Sequence, residues 1–153
     1  MSEGAVALAG KDVIIIDGEV ISALADADAI KLDFSTPIGV MKVSKDGNAI
    51  YAMQYSGQVV KVTLRLVRGS ADDQLLNSRL QDWIAAPADF ELMTGSFIKR
   101  IGDGKGNILS EVYQIAGGIF DTIPSTKMNT EGDVEQSVTE YTMLFRNNVR
   151  MMQ

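Results

Sequence analysis

In the stretch from residue 58 to 68, apolar and polar side chains alternate without a break from Val60 to Leu66. Val60, Val62, Leu64 and Leu66 fall on one side, and Lys61, Thr63 and Arg65 fall on the other. A period of two marks a strand with one buried face. Gly69-Ser70 ends the alternation, and the period then changes. Leu76, Leu80 and Trp83 recur at i, i+4 and i+7, with Ile84 beside them, which predicts an amphipathic helix over about residues 71–85. Ser70 is placed to cap it, with Asp72 and Asp73 in the first turn, where the helix dipole favours carboxylates.

The rest of the chain reads mostly as strand. Residues 12–16 and 19–22 flank an Asp17-Gly18 turn, and residues 23–27 form an acidic, alanine-rich connection with mild helical tendency. Over residues 28–35, Ile30, Leu32 and Phe34 are expected inward, with Lys31, Asp33 and Ser35 opposite. After Pro37 comes an extended hairpin arm. Its first limb holds Met41, Lys42 and Val43, its tip is Lys45-Asp46-Gly47-Asn48, and its returning limb carries Tyr51, Met53 and Tyr55 on one face. That aromatic and methionine face is expected in the core or against another subunit. Beyond the helix, residues 90–101 form a strand bent around Gly95, and residues 102–107 a loop. Residues 108–120 return, with Gly117-Gly118 predicting a bulge or a close backbone approach. Residues 121–128 read as irregular around Pro124, and 129–133 as a turn. The final strand covers 134–146, with Tyr141, Met143 and Phe145 alternating against Glu140, Thr142 and Arg146. Residues 1–11 and 147–153 are expected to be loose termini of one domain spanning 1–153. The class is mainly β with one helix.

Composition narrows function more than fold. With 153 residues the chain suits one domain with a proper core. Its mean hydropathy of +0.06 hints at apolar area buried between subunits. No apolar run approaches the roughly 20 residues of a membrane helix, so no membrane partner is expected. No basic leader precedes the first strand, which suggests a protein kept in a cytoplasm. Cysteine and histidine are both absent, which removes thiolate chemistry, the commonest general base and the commonest zinc ligand. No catalysis and no cofactor are therefore expected. The net charge of −6 argues against binding nucleic acid through its phosphates.

Three patterns imitate chemistry. Gly102-Asp103-Gly104-Lys105-Gly106-Asn107 contains G-x-G-x-G, but a phosphate cradle leads into a helix and a strand follows here. As a calcium loop it places Lys105 where an oxygen ligand belongs and Gln114 where the bidentate Glu belongs. Close carboxylates at Asp26 and Asp28, at Asp72 and Asp73, and at Glu131, Asp133 and Glu135 read as a connection, a helix cap and a turn.

Taken together, several stretches resemble bacteriophage and prophage tail tube proteins. They are Lys31-Leu32-Asp33-Phe34, Met41-Lys42, Ser44-Lys45-Asp46-Gly47-Asn48, the run from Val62 through Gly69-Ser70-Ala71-Asp72-Asp73, Leu92-Met93-Thr94-Gly95, Lys99-Arg100-Ile101-Gly102-Asp103-Gly104, Gly117-Gly118 and Gly132-Asp133-Val134-Glu135-Gln136-Ser137-Val138. The resemblance covers roughly residues 28 to 150 and is related to the tubes of type VI secretion and contractile bacteriocins. It implies a β-sandwich or barrel-like domain with a flanking helix. It also implies hexameric rings stacked into a hollow tube through which DNA passes without specific binding. The implied partners are other copies of the chain, a sheath in contractile tails, and tape-measure and baseplate proteins. The implied location is a virion tail assembled in the bacterial host cytoplasm.

In such a tube Lys31, Asp33, Lys61, Thr63, Arg65, Glu140 and Thr142 are candidates to face the lumen or a subunit contact. Acidic side chains there should outnumber or balance basic ones, and either Lys61 and Arg65 pair with Asp33 or Glu140 on adjacent strands or their strand faces the helix side or a subunit contact instead. Met41, Lys42, Val43, Lys45, Asp46, Gly47, Asn48, Tyr51 and Met53 are candidates for an inter-subunit arm. The rivals are a type VI or bacteriocin tube subunit and a monomeric β-barrel binding a small apolar ligand. In the latter Tyr51, Met53, Tyr141 and Met143 would line the cavity.

Overall fold

The computed structural model describes residues 7–8, 12–25, 30–102, 104–126, 128, 132 and 134–152. In chain order the strands are β1 (Ala7–Leu8), β2 (Val13–Ile16), β3 (Glu19–Ile21), β4 (Ile30–Asp33), β5 (Gly39–Val43), β6 (Ala49–Met53) and β7 (Val60–Val67). The single α-helix, α1 (Ala71–Ala85), follows, and then β8 (Met93–Gly102), β9 (Ile108–Ser125) and β10 (Val138–Met152). The helix bounds match the expectation because its cap is the one the sequence offers. Ser70 Oγ accepts from the Asp73 N–H at 3.2 Å, and Asp73 reaches back to accept from the Gly69 N–H at 2.8 Å.

Eight strands form one antiparallel sheet in the order β3-β2-β8-β9-β10-β7-β4, with β1 on β8. The sheet rolls up. Directly after β3, at one end of that order, Leu24 bridges to Leu66 on β7 near the other end. The Val67 N–H donates to Ala23 O at 2.8 Å and the Ala25 N–H to Arg65 O at 3.1 Å. Ile30 and Leu32 of β4 also line a small apolar cleft of about 130 Å³ with Ile14 of β2, Phe97 of β8 and Tyr113 of β9. The result is a barrel-like β domain with a flanking helix.

The β7 alternation fills the barrel. Val60, Val62, Leu64 and Leu66 are fully buried, facing Tyr141, Met143 and Phe145 of β10. Leu76 and Leu80 close the core from α1, each burial contributing about 1.5–3 kcal/mol. Trp83 is half-buried and meets Phe90 edge-on at 5.3 Å. Gly118 sits opposite Phe145, whose ring occupies the space a Cβ would take, and Gly117 adopts φ +71°. The close approach expected at Gly117-Gly118 is therefore present.

Several expectations are corrected. Residues 121–125 are not irregular: β9 continues through Pro124 to Ser125. Proline is tolerated there because β8 has already left β9 at Gly118 and the β9–β10 register shifts nearby, so no ladder donor is needed. Residues 147–152 are not a loose tail, since β10 pairs with β9 as far as Met152 and Glu111. Phe34 and Ile84, expected inward, are exposed at 45% and 50%. Phe34 lies past the end of β4, and Ile84 lies on the outer side of the last helical turn. At the N-terminus Ala7 and Leu8 pair with Gly102 and Ile101, and the rest of 1–11 lies outside the described residues. The same holds for Asp26, Asp28, Asp103, Glu131 and Asp133.

Candidate assembly interface

The arm stands apart from the barrel. β5 and β6 make a separate two-stranded sheet, pairing Gly39 with Met53 through Val43 with Ala49. Every one of their ten residues is exposed. By the register, Met41, Val43, Tyr51 and Met53 share one face of this ribbon, while Val40, Lys42, Ile50 and Ala52 share the other. Tyr51 is 75% exposed, Met41 60% and Met53 54%. Both faces are thus largely apolar and uncovered. An isolated two-stranded ribbon is marginal in water, so this one needs a surface to lie on.

Its geometry is held at both ends. At the tip the Ser44 N–H donates to Asn48 O at 2.8 Å and the Gly47 N–H to Ser44 O at 3.1 Å. Asp46 accepts from Ser44 Oγ at 3.0 Å, and Gly47 takes φ +84°, the left-handed conformation a tight turn requires. Lys45 lies in the same turn and is exposed. At the base the Gln54 N–H donates to Ile38 O at 2.8 Å. Gly57 is buried in the 3-10 turn Tyr55–Gln58, and a Cβ there would strike the Ile38 backbone at 2.6 Å.

The polar candidates lie on adjacent strands. Register places Lys31 against Thr63 and Asp33 against Lys61 between β4 and β7, and Arg65 against Glu140 and Thr63 against Thr142 between β7 and β10. Their charges are paired: Arg65 with Glu140 at 3.0 Å, Lys31 with Asp33 at 3.6 Å, and Lys61 with Asp121 of β9 at 3.5 Å. Arg65 thus has the expected partner, whereas Lys61 reaches Asp121 and not Asp33. Among the described residues the candidate cations Lys31, Lys61 and Arg65 each meet an anion, and Arg146, next on the same side of β10, adds a fourth, exposed cation. Thr142 is buried, at 8% exposure, and lies where the β9–β10 register shifts.

Two clusters escaped the sequence reading. Tyr141, at the centre of the core, donates its hydroxyl to Asp73 Oδ1 at 2.6 Å. Burial first, and the neighbouring Asp73 carboxylate second, push the Tyr141 phenol far above its ordinary range. Asp72 accepts from the Ser22 and Ala23 N–H groups, each at 2.9 Å. The two first-turn carboxylates therefore tie the helix to the barrel as well as capping it. Near the opposite end, Glu111 of β9 accepts from Arg150 of β10 at 3.1 Å. That bond holds Glu111 below the usual carboxylate range, against the opposing effect of burial. Burial, then Glu111, raises Tyr113. Nothing in the sequence around residue 150 marks this pair, because it depends on the strand pairing of a segment that reads as tail.

The ligand-cavity residues do not converge. Tyr51 and Met53 are exposed on the arm, whereas Tyr141 and Met143 are in the core at 1% and 0%. Among the described residues no group of three or more carboxylates could hold a metal ion, and no helix is long and apolar enough to cross a membrane.

No family model and no curated protein sequence matches the chain. Solved structures do. One is a chain from an extracellular contractile injection system, the PVC sheath-tube complex in its extended state. It is 15% identical, with a TM-score of 0.57 over 93% of this chain and 87% of the other. Another comes from the PVC sheath/tube terminator in its extended state, 16% identical, with a TM-score of 0.56 over 95% and 94%. A rolled antiparallel sheet, one helix across its core and nearly full mutual coverage make this the fold of chains that build a contractile injection system.

Proposed function

We propose that this chain is a structural tube subunit without catalytic activity. Copies close into hexameric rings, and the rings stack into a hollow conduit. The observation that carries this reading is the ribbon β5–β6, anchored at its base, ordered at its tip and apolar on both faces with nothing covering it. The shared fold with chains of a sheath-tube complex supports it. In the phage form of the reading the conduit delivers DNA, a sheath surrounds it, and tape-measure and baseplate proteins fit its length and end. The subunit then resides in a virion tail after assembly in the host cytoplasm. The second reading is a tube of a contractile injection or bacteriocin device, favoured by the origin of the two matching chains. Capsid and portal genes beside this one would select the phage form.

Assembly tests the shared part. At micromolar concentration the purified protein should elute at a multiple of 16.6 kDa and show rings or tubes by electron microscopy. A strictly monomeric species in ordinary salt would sink the reading.

A further inference from the structure

Edges decide which surfaces of a β protein can join. β3 has three residues, beginning with Glu19, and β4 has four, two of them charged. β5 follows Pro37, starts at Gly39 and carries Lys42. Short, charged or interrupted edges resist strand addition. β6 is different: Ala49, Ile50, Tyr51, Ala52 and Met53 include no charge, glycine or proline, and β6 pairs with β5 alone.

A second unguarded edge lies on β10. Its first half is paired on both sides, but β7 ends where Val60 meets Phe145. From Asn147 to Met152 the strand continues on β9 alone. Among the described residues no strand lies on the other side of residues 146–152, although the 3-10 turn Tyr55–Gln58, just before β7, packs against β10. Val149 is 53% exposed and Met152 45%. The cation at Arg150 is neutralised by Glu111 and lies over the Tyr113 ring at 5.8 Å. In the same stretch Asn148 Oδ1 is enclosed and has no hydrogen-bond partner, an acceptor left over when the chain is taken singly.

We propose that the outer edge of β6 in one copy adds as a strand to the free edge of β10 in a second copy. This rests on the reading of the chain as a tube subunit and names the contact that joins its copies. The β6 edge offers five uncharged residues, and the β10 edge carries Arg146 and the Asn147-Asn148 pair before ending in Val149, Met151 and Met152, with Arg150 held by Glu111. The two edges are different surfaces of the same chain. Such a head-to-tail contact repeats from copy to copy, into a ring where the rotation closes and a filament where it does not.

The chain has no cysteine, so an engineered pair reports without background. Copies carrying Val149→Cys are mixed with copies carrying one of Ala49→Cys, Ile50→Cys, Tyr51→Cys, Ala52→Cys or Met53→Cys, and then oxidised. A mixed disulfide dimer with at least one of the five, at severalfold the yield of either copy alone, is the expected result. Val149→Lys should give a folded monomer by circular dichroism and at least a tenfold lower assembled fraction at equal concentration. Rings that form with no mixed disulfide, or with Val149→Lys assembling normally, overturn the edge pairing and leave the tube reading standing. Disulfides formed by Val149→Cys copies with each other alone point to a symmetric β10 contact and also overturn it. A wild-type protein that never assembles overturns both.

Discussion

Tyr141 shows how one side chain links strand, helix and pH. Its ring fills the core between β10 and α1, and its hydroxyl satisfies Asp73, which also accepts from the Gly69 N–H beside the Ser70 cap of α1. Tyr141→Phe keeps the ring and leaves the carboxylate short of a donor. A hydrogen bond to a charged group is worth about 1.5–3 kcal/mol, and urea unfolding at neutral pH should show a loss of that order. The raised phenol also sets a pH dependence. The unfolded tyrosine titrates near pH ~10 and the folded one far above it. Stability from this group is therefore complete below about pH 10 and declines as the pH rises beyond it. The wild type should lose stability above pH 10 more steeply than Tyr141→Phe. Equal slopes between pH 9 and 11 would contradict the proton being held by burial and Asp73. Glu111 works in the opposite direction: its lowered pKa contributes stability above the carboxylate range, lost as acid protonates it.

At the scale of elements, the helix and the arm have opposite standing. α1 is integrated through its cap, the two carboxylates of its first turn and Leu76 and Leu80. Ser70→Ala should destabilise the whole domain by about 1 kcal/mol in thermal or urea melts. The arm contributes nothing to the barrel core, since none of its residues in β5 or β6 is buried. Deleting residues 45–48 should therefore leave the unfolding midpoint of the barrel within a degree or two. Stacking of rings should fail, leaving single rings or short stacks in electron micrographs. Normal-length tubes from this variant would show that the tip has no part in stacking. The different outcomes expected for Ser70 and the tip follow from burial alone.

For the whole molecule, charge is distributed unevenly. Six copies of a −6 chain would give the proposed ring a charge of −36, yet on the outward polar face of β4, β7 and β10 three cations are paired with three anions and Arg146 adds a further cation. A bore lined by that face would not strongly repel phosphates, because its paired charges cancel one another. Glu140→Ala removes the partner of Arg65 in every copy. If this face lines the bore, tubes of that variant should retain DNA at low salt and release it as salt rises, while wild-type tubes retain none. Identical retention by the two proteins would place the face elsewhere, in a contact between subunits.

The sequence by itself determined the elements whose signals are local. The alternation over residues 58–68, the Ser70 cap, the helix over 71–85, the turn at residues 45–48 and the demand for small residues at Gly117-Gly118 all depend on neighbours within one strand or one helical turn. It also sorted the inward set Val60, Val62, Leu64, Leu66, Tyr141, Met143 and Phe145 correctly, since a buried face leaves a period-two trace. What it left undecided depends on residues far apart in the chain. Residues 147–152 carry an Asn-Asn pair and weak alternation, and become strand only because β9 lies alongside to pair with them. Pro124 remains in a strand because its missing donor falls where no neighbour needs it. Lys61 has Asp121 as its partner, sixty residues away, and the Asp73 carboxylate serves Tyr141 as well as the cap. Local pattern fixes which residues avoid water. Only the rolled sheet decides which edge, which charge and which hydroxyl come to stand beside one another.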